Sequence, residues 1–272
     1  YRQPQREPAH GDVLDGIDCL FIVGLQKDLT DDEAQTLLTY TQSGGNVFIV
    51  RDYTDPIEGV PNYLAFLRSY GVTPLAGVAV AGEEDTDTYY GEPLYIIPKV
   101  CELDMTAALL SSGYDVLLMP AASAFEDPGE PDSSLTVATV LKTGPHGYLR
   151  SLTDGRNTLE KQEGDREGEL SLALYAHRMH ANGNVSRLFA LGNSAMLADE
   201  YIYQSTFNDQ FLTAVLKELV PSGEISLDIM AASAFRPSLT VGSQTMGVAL
   251  LVALPLLILL AAAFFLLPRR QG

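Results

Sequence analysis

The chain has 272 residues, with 35 acidic against 17 basic ones for a formal net charge of −18, and 46% of it is hydrophobic. So large an acidic excess, without a basic stripe and interleaved aromatics, excludes a nucleic-acid binder, because a polyanion would meet repulsion in place of counterion release. An anionic lipid surface is a poor partner for the same reason, and the length suffices for one large domain or two small ones.

Tyr1 stands where a start methionine would, and no basic stretch with an apolar core follows it. Residues 1–17 are therefore expected to be an extension or the remnant of a preceding domain. Cys19–Val23 is a continuous apolar run, short enough for a strand buried on both faces. Thr30 then opens a helix; Glu33 completes a capping box, and Ala34, Leu37, Leu38 and Thr41 keep the helical period. Ser43-Gly44-Gly45 ends it, and Val47–Val50 reads as a second buried strand, so the three segments make a β-α-β unit with parallel strands. Val60–Tyr70 has helical spacing and stops at Gly71. Val78 with Val80, Leu94–Ile97, Tyr114–Met119 and Leu135–Leu141 read as strands, and the polar residues 153–168 as a solvated loop. Leu170, Leu172 and Leu174 alternate with small or polar residues, as in a half-buried strand; Ser186–Leu191 is another strand and Asn208–Leu219 an amphipathic helix. Ile225–Ile229 is a last extended segment. Strands alternating with helices predict an α/β fold over residues 18–230, with a mostly parallel sheet flanked by helices.

Residues 231–245 read as a linker rich in small residues. Met246 to Leu267 then runs for 22 residues without a charged or amide side chain. At about 1.5 Å per residue such a helix reaches roughly 33 Å, enough to span the ~30 Å hydrocarbon layer of a bilayer. Arg269 and Arg270 follow at once, against only Arg236 shortly before the run, so residues 268–272 are expected in the cytoplasm and the acidic domain outside it. A tail-anchored arrangement with the domain in the cytoplasm is the alternative. Pro255 would bend the span, which membrane helices tolerate where a neighbour satisfies the freed carbonyl.

Ligands of an α/β sheet meet the crevice beyond the carboxyl ends of its strands. Three segments should converge there: Gly24-Leu25-Gln26-Lys27-Asp28, Arg51-Asp52-Tyr53 and Gly192-Asn193-Ser194. Gln26, Asp28, Arg51, Asp52, Asn193 and Ser194 are thus the candidate ligand- or partner-binding residues; the alternative is that they only serve turns and backbone caps. No nucleophile elbow of the G-x-S-x-G kind is present, so no catalytic residue is expected. His177 and His180 lie on what reads as a strand end, without a carboxylate or cysteine at ligand spacing, and no metal is expected. The acidic loop from Asp85 fails as a calcium loop, with Tyr90 at its sixth position and Ile96 at its twelfth. There is no G-x-x-x-x-G-K-[ST], and no cofactor is expected. Cys19 reads as a small core residue, and a bridge to Cys101 stays open. The pentapeptide Ala-Ala-Ser-Ala-Phe occurs at Ala121–Phe125 and Ala231–Phe235, too short to mark a repeat.

Asp18–Val23, Asp28-Leu29-Thr30 with Glu33 and Leu37, Tyr40, Gly44-Gly45 and Val47-Phe48-Ile49 together resemble the GldG-like auxiliary components of ABC transport systems. Tyr63, Leu67, Tyr70 and Gly71-Val72, then Ser186–Ser194, then Asn208 with Phe211, and the closing apolar run with Pro255 continue the likeness. Gly24-Leu25 and Asn193 depart from it. The resemblance implies an extracytoplasmic domain with a flavodoxin-type, mostly parallel α/β fold like a class I glutamine amidotransferase, without its catalytic residues. It also implies a non-catalytic, membrane-anchored ligand- or partner-binding subunit, working with an ABC permease and a separate ATP-binding subunit. The competing expectation is a hydrolase or amidotransferase-like enzyme of the same fold with an atypical nucleophile near Ser194. A cell-wall-sorted protein is a third, for which Pro237-Ser238-Leu239-Thr240 is the nearest approach to the sorting motif.

Overall fold

A computed structural model describes residues 14, 16–130, 133–152, 158–198 and 206–220. In chain order they form β1 (Cys19–Val23), α1 (Asp31–Gln42), β2 (Asn46–Val50), α2 (Pro61–Ser69), β3 (Val78–Val80), β4 (Tyr95–Ile96), β5 (Lys99–Val100) and α3 (Asp104–Ser112). There follow β6 (Met119–Pro120), β7 (Leu135–Lys142), β8 (Tyr148–Arg150), β9 (Arg166–Glu167), β10 (Ser171–Met179), β11 (Val185–Leu191) and α4 (Asn208–Leu219). By its contacts the chain divides at Ile225, and every described residue belongs to the first unit.

Six strands make the main sheet, in the order β1-β2-β11-β10-β7-β5, beside a three-stranded sheet β3-β8-β9 and the pair β4-β6. Only β1-β2 and β2-β11 are parallel; every other strand pair among the described residues is antiparallel. The expectation of a mostly parallel sheet is thus corrected to a mixed, mainly antiparallel one. The cause lies between β10 and β11, where residues 180–184 with Gly183 at φ 85° turn the chain straight back. A parallel return needs a crossover of about a dozen residues or more, so so short a link permits only a hairpin.

The expected transmembrane helix is not found among the described residues, where no helix is long and apolar enough to cross a membrane. Residues 246–267, on which that expectation rested, lie outside the described residues, as do Ile225–Ile229, the linker 231–245 and the tail 268–272.

Two cores lie on opposite faces of the sheet. Side chains alternate across a strand, so Phe48 and Val50 of β2, with Phe189 and Leu191 of β11, join Leu109 of α3 and Phe211, Val215 and Leu219 of α4. Val47, Ile49, Leu188 and Ala190 point the other way, onto Leu37 and Tyr40 of α1 and Tyr63, Leu64, Phe66 and Leu67 of α2. Helices therefore flank the sheet as expected, and β2 and most of β11 are buried on both faces. β10 is buried on both faces over Ser171–Leu174 instead of half-buried. β1 departs in the opposite sense: it is the edge strand, and Phe21 and Val23 are 49% and 53% exposed.

The local signals explain the helices. Thr30 Oγ1 accepts from Glu33 N (3.2 Å) while Glu33 Oε2 accepts from Thr30 N (2.8 Å), the reciprocal capping box that starts α1. Pro61 begins α2 at a position where a missing N–H costs nothing. In α4, Phe211, Val215 and Leu219 recur every four residues as one buried stripe. α3 has no such stripe and was not anticipated; it is started by Thr106 Oγ1 accepting from Leu103 N (2.9 Å) and ended by Gly113 at φ 70°.

Candidate functional site

Because β1, β2 and β11 run parallel, the loops leaving their carboxyl ends share one rim of the sheet. The turn after β11 is held against the segment following β6. A Cβ on Gly192 would sit 2.3 Å from Ser123 O, so only glycine permits this approach, and Ser123 N donates to Gly192 O (2.6 Å). Asn193, fully buried, donates through Nδ2 to Pro120 O (2.5 Å) and accepts at Oδ1 from Met196 N (2.7 Å). Both ends of its amide are thereby engaged.

Ser194 turns both of its donors onto Asp52: N–H to Oδ1 (2.8 Å) and hydroxyl to Oδ2 (2.5 Å). Asp55, buried, accepts from Asp52 N (2.9 Å) and from Gln26 Nε2 (2.8 Å). Arg51 donates through Nη2 to Asp55 O (2.7 Å), and Ser123 Oγ donates to Arg51 O (3.2 Å). Gln26, Arg51, Asp52, Asn193 and Ser194 are therefore brought to one rim, as the three converging segments imply. Asp28 is not part of it. Its carboxylate accepts from Asn62 N (3.1 Å) and Tyr63 N (3.0 Å), capping the first turn of α2. Burial alone would raise that carboxyl, but the N–H groups of Tyr63, Asn62 and Leu29 outweigh it and hold it below the usual carboxylate range.

Arg51 is 1% exposed, and its Nε and Nη1 have no hydrogen-bond partner among the described residues. Burial pushes its pKa down, opposed by the Tyr63 phenol and by Asp55 and Asp52; burial pushes the Tyr63 hydroxyl up in turn. With two carboxylates close to one guanidinium, the rim offers an anion no net attraction. Arg51 acts here as a buried counter-charge between loops. Asp55 and Ser123 are the members that sequence reading missed. Asp55 stands three residues after Asp52, the spacing at which an Asp side chain closes a turn on the backbone, so it carried a readable signal; Ser123 carried none.

Chemically the rim is a closed circuit. Ser194 meets a carboxylate rather than an imidazole, and activation of a serine hydroxyl calls for a base that can take its proton near neutral pH. Two histidines are engaged elsewhere: His146 Nδ1 lies 2.7 Å from Asp85, and His180 Nε2 lies 2.7 Å from Ser186 Oγ, which also meets Tyr70 OH at 2.6 Å. No group of three or more His, Cys, Asp or Glu side chains that could hold a metal occurs among the described residues. Cys19 and Cys101 are both free thiols, and burial pushes Cys19 up to about 11.

No family model matches the chain, and no curated protein does. Among solved structures, the mmIFT52 N-terminal domain superposes with a TM-score of 0.55 at 17% identity, covering 80% of this chain and 83% of that one. A cytoplasmic protein of Salmonella typhimurium, STM3548, gives 0.43 at 13% identity over 78% of this chain and 76% of its own. A ThuA-like protein of Bacteroides uniformis gives 0.38 at 12% over 75% and 70%. The first likeness is one of fold alone, and the other two superpose too loosely to carry an argument. The membrane and ABC-transport attributes drawn from the resemblance are corrected on other grounds: no helix among the described residues is long and apolar enough to cross a membrane, and no family model or curated protein of that kind matches the chain.

Proposed function

We propose that this domain is a non-catalytic binding module, one that recognises another macromolecule instead of turning over a substrate. The observation that carries the reading is the closed rim. Asp52 holds both donors of Ser194, Asp55 holds Gln26 and the Asp52 amide, and Asn193 is engaged at both ends. The polar groups that would have to meet a substrate are committed to holding three loops together. An ABC permease and a separate ATP-binding subunit form no part of this proposal.

The alternative, a hydrolase or amidotransferase-like enzyme using Ser194, draws on one observation: the 2.5 Å contact between Ser194 Oγ and Asp52. The test is a panel of ester, amide and glycoside substrates offered to the chain and to its Ser194→Ala variant. The binding reading expects the two to be alike at background. Turnover at least a hundredfold above background in the parent and lost in the variant would overturn it.

A further inference from the structure

The binding reading leaves open which surface meets the partner, and the edge strand answers it. Gly24 N donates to Val50 O (3.1 Å). Backbone groups alternate sides along a strand, so Leu20 and Ile22 also face β2, while the amides and carbonyls of Cys19, Phe21 and Val23 turn outward. Among the described residues nothing pairs with that outer side. Natural sheets blunt such edges with charges, proline or bulges. β1 has none of these: its sequence is Cys-Leu-Phe-Ile-Val.

Both faces beside the edge are apolar. On one, Phe21 stacks on Phe48 with ring centroids 4.9 Å apart, yet remains half exposed, as does Val23. On the other, Leu20 and Ile22 line a groove of about 470 Å³ with Leu25, Leu29 and Leu37, and Asp32 and Glu33 stand on its rim. Lys27 is the one cation in residues 14–45, against Asp15, Asp18, Asp28, Asp31, Asp32 and Glu33. A second copy of the chain would bring two such acidic rims together, at a net charge of −18 each. A cationic strand would neutralise the rim.

We propose that the outer edge of β1 is the docking site, and that its occupant is an extended segment of another protein, apolar in alternation and carrying Lys or Arg, added as a further strand. Main-chain hydrogen bonds to Cys19, Phe21 and Val23 supply the affinity, and the groove with Asp32 and Glu33 selects the side chains. This rests on the non-catalytic reading above.

The test uses the full chain and fluorescein-labelled seven-residue peptides alternating valine with lysine or valine with glutamate, titrated by anisotropy. The lysine peptide should bind saturably, and at least tenfold more tightly than the glutamate peptide. Val23→Pro removes an outward N–H and leaves the hydrogen bonds to β2 intact, and Phe21→Lys places a cation on the edge. Either should weaken the lysine peptide at least tenfold while thermal unfolding stays cooperative. Deuterium exchange should show fast amides at Cys19, Phe21 and Val23 that slow on peptide addition. No binding of the lysine peptide at about 1 mM, a dissociation constant that corresponds to only about 4 kcal/mol, would overturn the proposal. Equal affinity for the two peptides, or variants that bind the lysine peptide as tightly as the parent chain, would do so too. Protected β1 amides in the free chain, or a sedimenting dimer that Val23→Pro dissociates, would assign the edge to the chain itself and overturn it as well. Enzymatic turnover with peptide binding intact would instead remove the non-catalytic reading, so the two failures are distinguishable.

Discussion

Asp55 shows how much one side chain can hold. It ties Gln26 of the first loop to the Asp52 amide of the second and stands beside a buried guanidinium. Asp55→Ala is expected to cost about 3 kcal/mol, because two part-buried N–H donors lose their acceptor and a buried cation loses a neighbouring carboxylate. Arg51→Met should cost less than half of that, since it removes a charge whose Nε and Nη1 have no hydrogen-bond partner among the described residues; urea unfolding of both variants checks the order. His146 and Asp85 set a pH window. The hydrogen bond to Asp85 raises His146 above its ordinary 6.5. Burial would raise Asp85, but the bonds from the His146 ring and backbone N–H outweigh it and lower the carboxyl below 3.8. The imidazole's contribution is fully present below pH 6.5 and fades as pH rises through its raised value; the carboxylate's is present above pH 3.8 and fades as pH falls through its lowered one. The Tm difference between the parent and His146→Ala should therefore be greatest between about pH 4 and 6.5 and shrink on either side, as calorimetry across that range would show.

Elements with a complete local code were legible. Thr30 and Glu33 start α1 where the capping box places it, and the four-residue stripe of Phe211, Val215 and Leu219 gives α4 its limits. Thr30→Ala should cost about 1 kcal/mol, read from the thermal midpoint. β2 was legible as a strand buried on both faces. Phe48, pressed between Phe21 and Phe189, should cost about 3–5 kcal/mol as Phe48→Ala, measured by denaturant titration. β1 has the same apolar composition but ends up at an edge, because composition reports what a strand can bury and not which strands arrive beside it. The rim was legible as a meeting of three loops, since parallel strands must end together; that its members satisfy one another depends on rotamers that no spacing encodes. β5, β8 and β9, of two or three residues each, are set by their partners across the sheet and not by their own pattern.

At the scale of the molecule the misread feature was strand direction. The parallel half, β1-β2-β11, follows the β-α-β logic of its sequence, while the short link at residues 180–184 commits β10 and everything beyond it to the antiparallel half. Asn46 joins distant parts of the chain directly: its Nδ2 donates to Leu219 O (2.6 Å) and its Oδ1 accepts from Arg187 N (2.7 Å). The start of β2, the start of β11 and the end of α4 are thereby clipped together.

The place of β11, between β2 and β10, governs how the molecule can be made. The two strands it separates are synthesised earlier, and neither pairs with the other. A nascent chain ending before Leu191 therefore holds two half-sheets with no seam, each exposing an apolar flank. Such long-range closure is slow, and a ribosome-bound chain halted at residue 180 should be degraded by added protease far faster than one halted well beyond residue 220, where the hairpin strand has inserted and the last helix has locked it. The order of synthesis thus leaves the domain in need of protection until nearly its whole length has emerged.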